Sequence, residues 1–325
     1  MATATAGAAA ADCPAEDVNQ QQTGSSAASV VLPPTRNLAP TREWYSEPCM
    51  LGVDEAGRGP VLGAMVYACA VAPLSYKETL ATQAYADSKT LSEAERSRLF
   101  KALAADPSCV YVADLLSAQF ISGQMLGRAR VSLNAVAEQS TMGLIQDVLD
   151  AGVQLKEVFI DTVGDPDRYR AKLERAFPGI AFTVCPKADA LYPIVSAASI
   201  AAKVLRDTSL QVEQQQLPAK QAGSLGNGYP SDPVTQAWLA GHCDAVWGFP
   251  PLVRFSWETC SRILEERCVK VTWPADSSSA GGGGGGNAQQ TLACFRQPTD
   301  NSGESSGMGR HPHFRLRRLQ RVAAF

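Results

Sequence analysis

Four carboxylates stand where short apolar runs end. Asp54 and Glu55 follow Met50-Leu-Gly-Val, Asp161 follows Val158-Phe-Ile, and Asp189 comes shortly after Val184-Cys-Pro-Lys-Ala. In an α/β sheet, ligands bind beyond the carboxyl ends of strands. If these strands are adjacent and run the same way, the four acids converge. Like charges gathered in one site repel one another, and hard divalent cations with oxygen ligands resolve that conflict. Mg²⁺ or Mn²⁺ suits a site built without His and Cys. Two such ions ~4 Å apart clamp the attacking and leaving oxygens of an in-line phosphoryl displacement. An Asp after a strand more often makes a turn or caps a helix, and Asp165 and Asp167 are assigned to capping. The Asp54-Glu55 pair, two adjacent acids at a strand exit beside Gly57-Arg58-Gly59, calls for water or a cation.

Composition narrows the chemistry further. The only histidines are His242, His311 and His313, which argues against a His-rich zinc site and against Ser–His–Asp or Cys–His catalysis. The nine cysteines form no Cys-x-x-Cys pair and are odd in number, the pattern of reduced thiols inside a cell. Net charge is −3, so bulk electrostatics does not advertise a nucleic-acid binder, and any phosphate contact must come from a local arrangement of donors. With 325 residues, 45% apolar and 19% charged, the chain has the length of about two domains and ample material for a core. The longest apolar stretch, Gly63 to Pro73, falls far short of the ~20 residues that cross a bilayer, and no membrane partner is expected. Before Arg36 there is no basic residue, and Asp12, Glu16 and Asp17 interrupt the Ala/Thr-rich start, so neither a secretory signal nor a transit peptide is expected.

The elements that must position the acids alternate strand and helix. Met50–Asp54 and Ala64–Val71 read as strands joined by a Gly-rich turn, a hairpin, and Cys109–Ala113 as a third strand. Ser92 with Glu95 before Leu99 fits a capping box. Residues 128–150 have helical period. Val158–Asp161, a helix over about 165–176, and Ile180–Val184 make a β–α–β unit with parallel strands. Residues 194–210 and 232–268 read as helical, the latter broken at Gly248-Phe-Pro-Pro251, and Pro218 predicts an early end to the helix before it. The expected organisation is a disordered segment over 1–45, a catalytic domain over 46–210, a helical C-terminal extension over 211–273, and a Gly-rich linker with a disordered tail over 274–325.

With those elements in place, Leu51-Gly-Val-Asp-Glu-Ala-Gly-Arg-Gly-Pro-Val-Leu-Gly63 resembles the opening signature of type 2 ribonuclease H, the ribonuclease HII family with its eukaryotic catalytic A subunit. The resemblance continues through Asp87-Ser-Lys-Thr-Leu91, Val158-Phe-Ile-Asp-Thr-Val-Gly164, Lys187-Ala-Asp-Ala-Leu-Tyr-Pro193, Ser196–Val204 and Gly226-Asn-Gly-Tyr-Pro230, in family order over roughly 47–268. Trp238-Leu239 and Gly248–Trp257 look more like the eukaryotic protein than the bacterial enzyme. The resemblance implies an α/β, ribonuclease H-like mixed sheet flanked by helices with a helical C-terminal extension. It also implies metal-dependent cleavage of RNA in RNA–DNA hybrids, and incision 5′ of single ribonucleotides in duplex DNA. By motif position the metal-binding acids would be Asp54, Glu55, Asp161 and Asp189. Gly57, Arg58 and Gly59 would read the ribose 2′-OH, Tyr229 would stack on the sugar at the RNA-to-DNA junction, and Lys89 would contact a phosphate. Lys187 and His242 have ordinary readings as a solvated lysine and a structural histidine.

The same resemblance implies a heterotrimer with two accessory subunits, docked around Arg254–Cys268, and a place in the nucleus. After Gly281–Gly286, the segment Gln289-Gln-Thr-Leu-Ala-Cys-Phe-Arg296 resembles a sliding-clamp binding peptide: Gln289, Leu292 and Phe295 fit it, while Arg296 holds the second aromatic position. Arg315, Arg317, Arg318 and Arg321 are read as a solvated tail or a weak import or phosphate-contacting patch. Two rival readings stay open: another carboxylate–metal nuclease of the same fold, and a catalytically idle scaffold.

Overall fold

One mixed sheet carries the site. The structure is a computed structural model that describes residues 29–83, 85, 91–162, 164–221 and 223–270. Strands β1 (Cys49–Ala56) and β2 (Met65–Pro73) form the expected antiparallel hairpin. Helices α1 (Lys77–Thr82) and α2 (Glu93–Ala105) follow, the second opened by the Ser92/Glu95 capping box. Then come β3 (Val110–Leu116), α3 (Ala118–Leu126) and α4 (Leu133–Asp150). The β–α–β unit is β4 (Leu155–Asp161), α5 (Pro166–Ala176) and β5 (Ala181–Cys185). A one-turn helix α6 (Ala188–Leu191), the long α7 (Pro193–Gln215), α8 (Pro233–Gly241) and α9 (Glu258–Arg267) complete the described elements. Strand order is β3-β2-β1-β4-β5, antiparallel from β3 to β1 and parallel from β1 to β5.

Alternation along β1 divides the interior. Cys49, Leu51 and Val53 face a core shared with α4 and α5, including Val136, Ile145, Val148 and Leu173. Met50 and Ala56 face the opposite core, where Ile194, Val195, Ala198 and Ala201 of α7 pack. Gly52 permits this second packing: a Cβ there would lie 2.5 Å from the Ile194 backbone carbon and 2.6 Å from the Val195 nitrogen. A third cluster joins Val61 and Leu62, just after β1, to Trp238, Leu239, Phe249, Leu252, Cys260 and Ile263.

Two boundaries differ from the sequence reading. Residues 29–45 are described and are not a loose arm: the Ala113 N–H donates to the Thr35 carbonyl at 2.7 Å and the Asn37 N–H to that of Tyr111 at 3.1 Å, covering the outer edge of β3. Packing adds to these bonds, since Tyr45 is buried, Leu38 and Trp44 pack against the first core and Leu32 against the second, which composition does not reveal. The C-terminal extension belongs to the same compact unit, which runs through Arg267. As expected from Pro218, α7 stops at Gln215. Among the described residues no helix is long and apolar enough to cross a membrane.

Candidate active site

Asp54 and Asp161 reach the same level because β1 and β4 are adjacent and parallel, with Val53 paired to Ile160. Asp189 arrives differently. Its helix α6 starts from Lys187 in a left-handed conformation (φ 59°), which turns the chain back over the end of β4. The Ala188 N–H donates to Asp161 Oδ1 at 3.2 Å, and the Ser196 hydroxyl donates to the Asp189 carbonyl. The outcome is a trio, Asp54, Asp161 and Asp189, each with a carboxylate oxygen within 4.8 Å of the others. Asp54 and Asp189 are buried, at 5% and 3% exposure. Burial raises the Asp54 carboxyl well above the ordinary range, and the charges of Glu55 and Asp161 push the same way, against hydrogen bonds from Ser199 and the Glu55 N–H. Acids held this close, all offering hard oxygens, fit a divalent cation of the Mg²⁺ or Mn²⁺ type.

Glu55 corrects the expected fourfold convergence. Adjacent residues of a strand point to opposite faces, so Asp54 faces α7 while Glu55 looks into a cleft of about 900 Å³ walled by α4 and α5. It is not part of the trio. Asp161 lines the same cleft, which therefore opens at the trio and continues along α5.

Arg58 also turns to this cleft, donating to the Tyr67 hydroxyl at 3.2 Å and to Asn134 Oδ1. Burial, with Glu55 nearby, drives the Tyr67 phenol far up from its usual value. Gly57 has φ +78°, and a Cβ there would press on the Ala64 carbonyl at 2.8 Å. Tyr229 lies half-exposed with its ring over Gly59, where a Cβ would stand 3.0 Å from Tyr229 Cε1. Its loop is fixed from several sides. The Gly228 N–H donates to Thr235 Oγ1 at 3.0 Å, the Asn227 N–H to Asp232 Oδ2 at 2.8 Å, and the Val61 N–H to the Gly228 carbonyl at 2.8 Å.

Sequence reasoning missed what holds the Gly-Arg-Gly turn. Arg254 is fully buried and donates to the carbonyls of Gly57 at 2.6 Å, Arg58 at 3.0 Å and Gly63 at 2.9 Å. The Trp257 indole N–H donates to the Gly59 carbonyl at 3.0 Å, and the Arg254 guanidinium lies 4.9 Å from that ring. Desolvation lowers the Arg254 pKa to about 9, with Arg206 adding to it. The expected docking stretch Arg254–Cys268 is therefore corrected at its start. Arg254 and Cys260 face inward, whereas Glu258, Glu265 and Glu266 of α9 are exposed. His242 stacks on Trp238 with ring centroids 4.6 Å apart, a packing role. Lys187 is exposed. Lys89, Gln289, Leu292 and Phe295 lie outside the described residues.

Comparison with known proteins agrees with this fold. The model of the family described as Ribonuclease HII matches residues 51–260. Among curated relatives, the A subunit of ribonuclease H2 from Arabidopsis thaliana is 46% identical over 88% of this chain and 98% of its own length. The corresponding protein from Homo sapiens is 50% identical over 71% of this chain and 78% of its own length. Among solved structures, ribonuclease H2 from Pyrococcus horikoshii aligns with a TM-score of 0.59 and 33% identity over 67% of this chain and 98% of that one. Ribonuclease HII of Archaeoglobus fulgidus, solved as a complex with PCNA, aligns with a TM-score of 0.55 and 27% identity over 66% of this chain and 96% of that one.

Proposed function

The chain belongs to the ribonuclease HII family and is a ribonuclease H, and from that premise we propose that it cleaves RNA in RNA–DNA hybrids and incises 5′ of single ribonucleotides in duplex DNA. The products would be a 5′-phosphate and a 3′-hydroxyl. The observation that carries the reading is the trio Asp54, Asp161 and Asp189, gathered at the ends of parallel strands beside the Gly-Arg-Gly turn.

These three acids would hold Mg²⁺ or Mn²⁺, with two ions per site proposed and Glu55 adjoining from the cleft side. A divalent ion there supplies an activated water and neutralises charge on the reacting phosphate. The chain's own residues do the positioning. Gly57 and Gly59, lacking Cβ atoms, let the backbone come close enough to a sugar to sense one hydroxyl. Only the 2′-OH, or the helix form it induces, tells RNA from DNA. The Tyr229 ring, packed over Gly59, offers a face to the same sugar. Arg58 and Lys89 would contact phosphates and so carry no base readout, which makes cleavage indifferent to sequence.

The relatives are themselves named as one component of a multi-subunit ribonuclease H2, which supports assembly with two accessory subunits, and the exposed side of α9 is the proposed contact. The archaeal ribonuclease HII solved with PCNA supports a sliding-clamp role for Gln289, Leu292 and Phe295. A nuclear location completes the proposal. The deciding experiment incubates the full-length chain, alone and with accessory subunits, with a DNA duplex containing one ribonucleotide and Mg²⁺. A nick on the 5′ side of that ribonucleotide is expected. An intact duplex, with cleavage confined to long RNA runs, would favour a type 1 ribonuclease H activity instead.

A further inference from the structure

The cleft beyond the trio has a charge pattern that the acids' chemistry does not use. On α5, Arg168, Lys172 and Arg175 follow one another at i, i+4 and i+7 and so share a face, and all three line the cleft. Arg170, on another side of α5, is neutralised by Asp167 at 3.0 Å and Glu174 at 3.8 Å. Lys172 is tied across the cleft to Glu138. Among the described residues no salt bridge engages Arg168 or Arg175, and both are exposed. Of the other cleft acids, Asp165 caps α5 through the Asp167 and Arg168 N–H groups, Asp161 belongs to the trio, and Glu55 follows Asp54 at the trio's end of the cleft. The two arginines are left as cations on the wall of a groove that begins at the reacting centre.

We propose that this face of α5 carries the sugar–phosphate backbone of the substrate as it runs on from the carboxylate trio. The proposal rests on the ribonuclease reading above and extends it from the cleaved bond to its flank. Seven residues of helix span ~10 Å, about the axial length of three phosphates of one strand at ~3.4 Å each. Guanidinium groups suit phosphate oxygens through paired N–H donors. A chain of net charge −3 gains affinity for a polyanion only through such a local track.

The test compares Arg168→Ala/Arg175→Ala with Arg170→Ala in the full-length chain, assembled with any accessory subunits its activity requires. Because all three side chains are exposed, the substitutions leave the core untouched. Binding to the single-ribonucleotide duplex is titrated by fluorescence anisotropy between about 50 and 200 mM salt, a range over which phosphate contacts dominate affinity, and KM and kcat are measured alongside. The double variant is expected to bind roughly tenfold or more weakly at the low end, with the log–log salt slope reduced by ~1.8 for two lost phosphate contacts. KM should rise with kcat at saturation unchanged, and Arg170→Ala should match the wild type. A wild-type chain that cleaves beside a double variant with the same affinity and slope overturns this proposal alone. Loss of binding to a purified accessory protein of the complex, with duplex affinity intact, also overturns it and makes the face a protein-docking surface. A wild-type chain that neither binds nor cleaves the duplex overturns both readings.

Discussion

Asp54 concentrates the electrostatic tension of the site: it is buried, raised by two neighbouring acids and placed against α7. Asp54→Asn should keep the fold, because the amide fits the same space and removes a repelled charge. It should cut cleavage by at least ~10³-fold, since metal-borne charge stabilisation is worth several kcal/mol and each ~1.4 kcal/mol is tenfold. Circular dichroism and single-turnover cleavage check the two halves, and full activity would remove Asp54 from the site. Arg254→Met tests the clamp. It strips the guanidinium donors from three backbone carbonyls, and should cost roughly 3 kcal/mol or more in urea unfolding. Asp54 and Asp161 were legible in the sequence because acids at the ends of apolar strands are a local pattern. Asp189 follows its strand at a distance, and its final place depends on the left-handed Lys187, which that pattern does not contain. That Glu55 faces the cleft follows from strand alternation, which the adjacency of the two acids obscured.

At the scale of elements, the meeting of β1 and α7 decides where Asp54 sits relative to Asp189. Gly52→Ala would place a methyl group against backbone atoms that have no way to yield. It should destabilise by ~1–3 kcal/mol or more as overpacking and lower activity with it; a thermal midpoint equal to wild type would contradict the close approach. Nothing in the sequence marks Gly52, since its neighbour Ile194 comes from a distant segment and periodicity carries no tertiary information. The Tyr229 loop offers a pH test. Hydrogen bonds from Asn227 and Thr235 lower the Asp232 carboxyl below its usual 3.8. A depressed folded-state value means the charge favours the fold above pH 3.8, and the benefit disappears as pH falls through the folded value. Wild type should therefore melt higher than Asp232→Asn near neutrality, with the two curves converging in strong acid. A gap that stays constant through acid would show that the loop does not depend on that charge. The secondary structure itself was largely readable: the hairpin, the Ser92 box, the β–α–β unit and the Pro218 stop all rest on short-range signals. The edge pairing of Thr35 and Asn37 was not, because nothing local in those residues specifies β3 as partner.

For the whole molecule, two opposed cores enclose the sheet, and their tightness can be read by chemistry. Cys69 and Cys109 are fully buried, and burial pushes the Cys69 thiol up to about 12. Both should resist alkylation by iodoacetamide in the native chain and react only at the rate of global unfolding; rapid modification of either in the folded protein would refute the packing. The Gly57-Arg58-Gly59 turn is completed by hydrogen bonds reaching 196, 197 and 198 residues along the chain, from Arg254 and Trp257 back to Arg58, Gly57 and Gly59. Closures of that length are slow because the intervening chain must be ordered first. A ribosome making this protein lays down every carboxylate of the trio long before it adds the arginine that steadies the turn. A partly translated product could thus possess the acids, yet the nuclease matures only when nearly the whole folded portion has emerged.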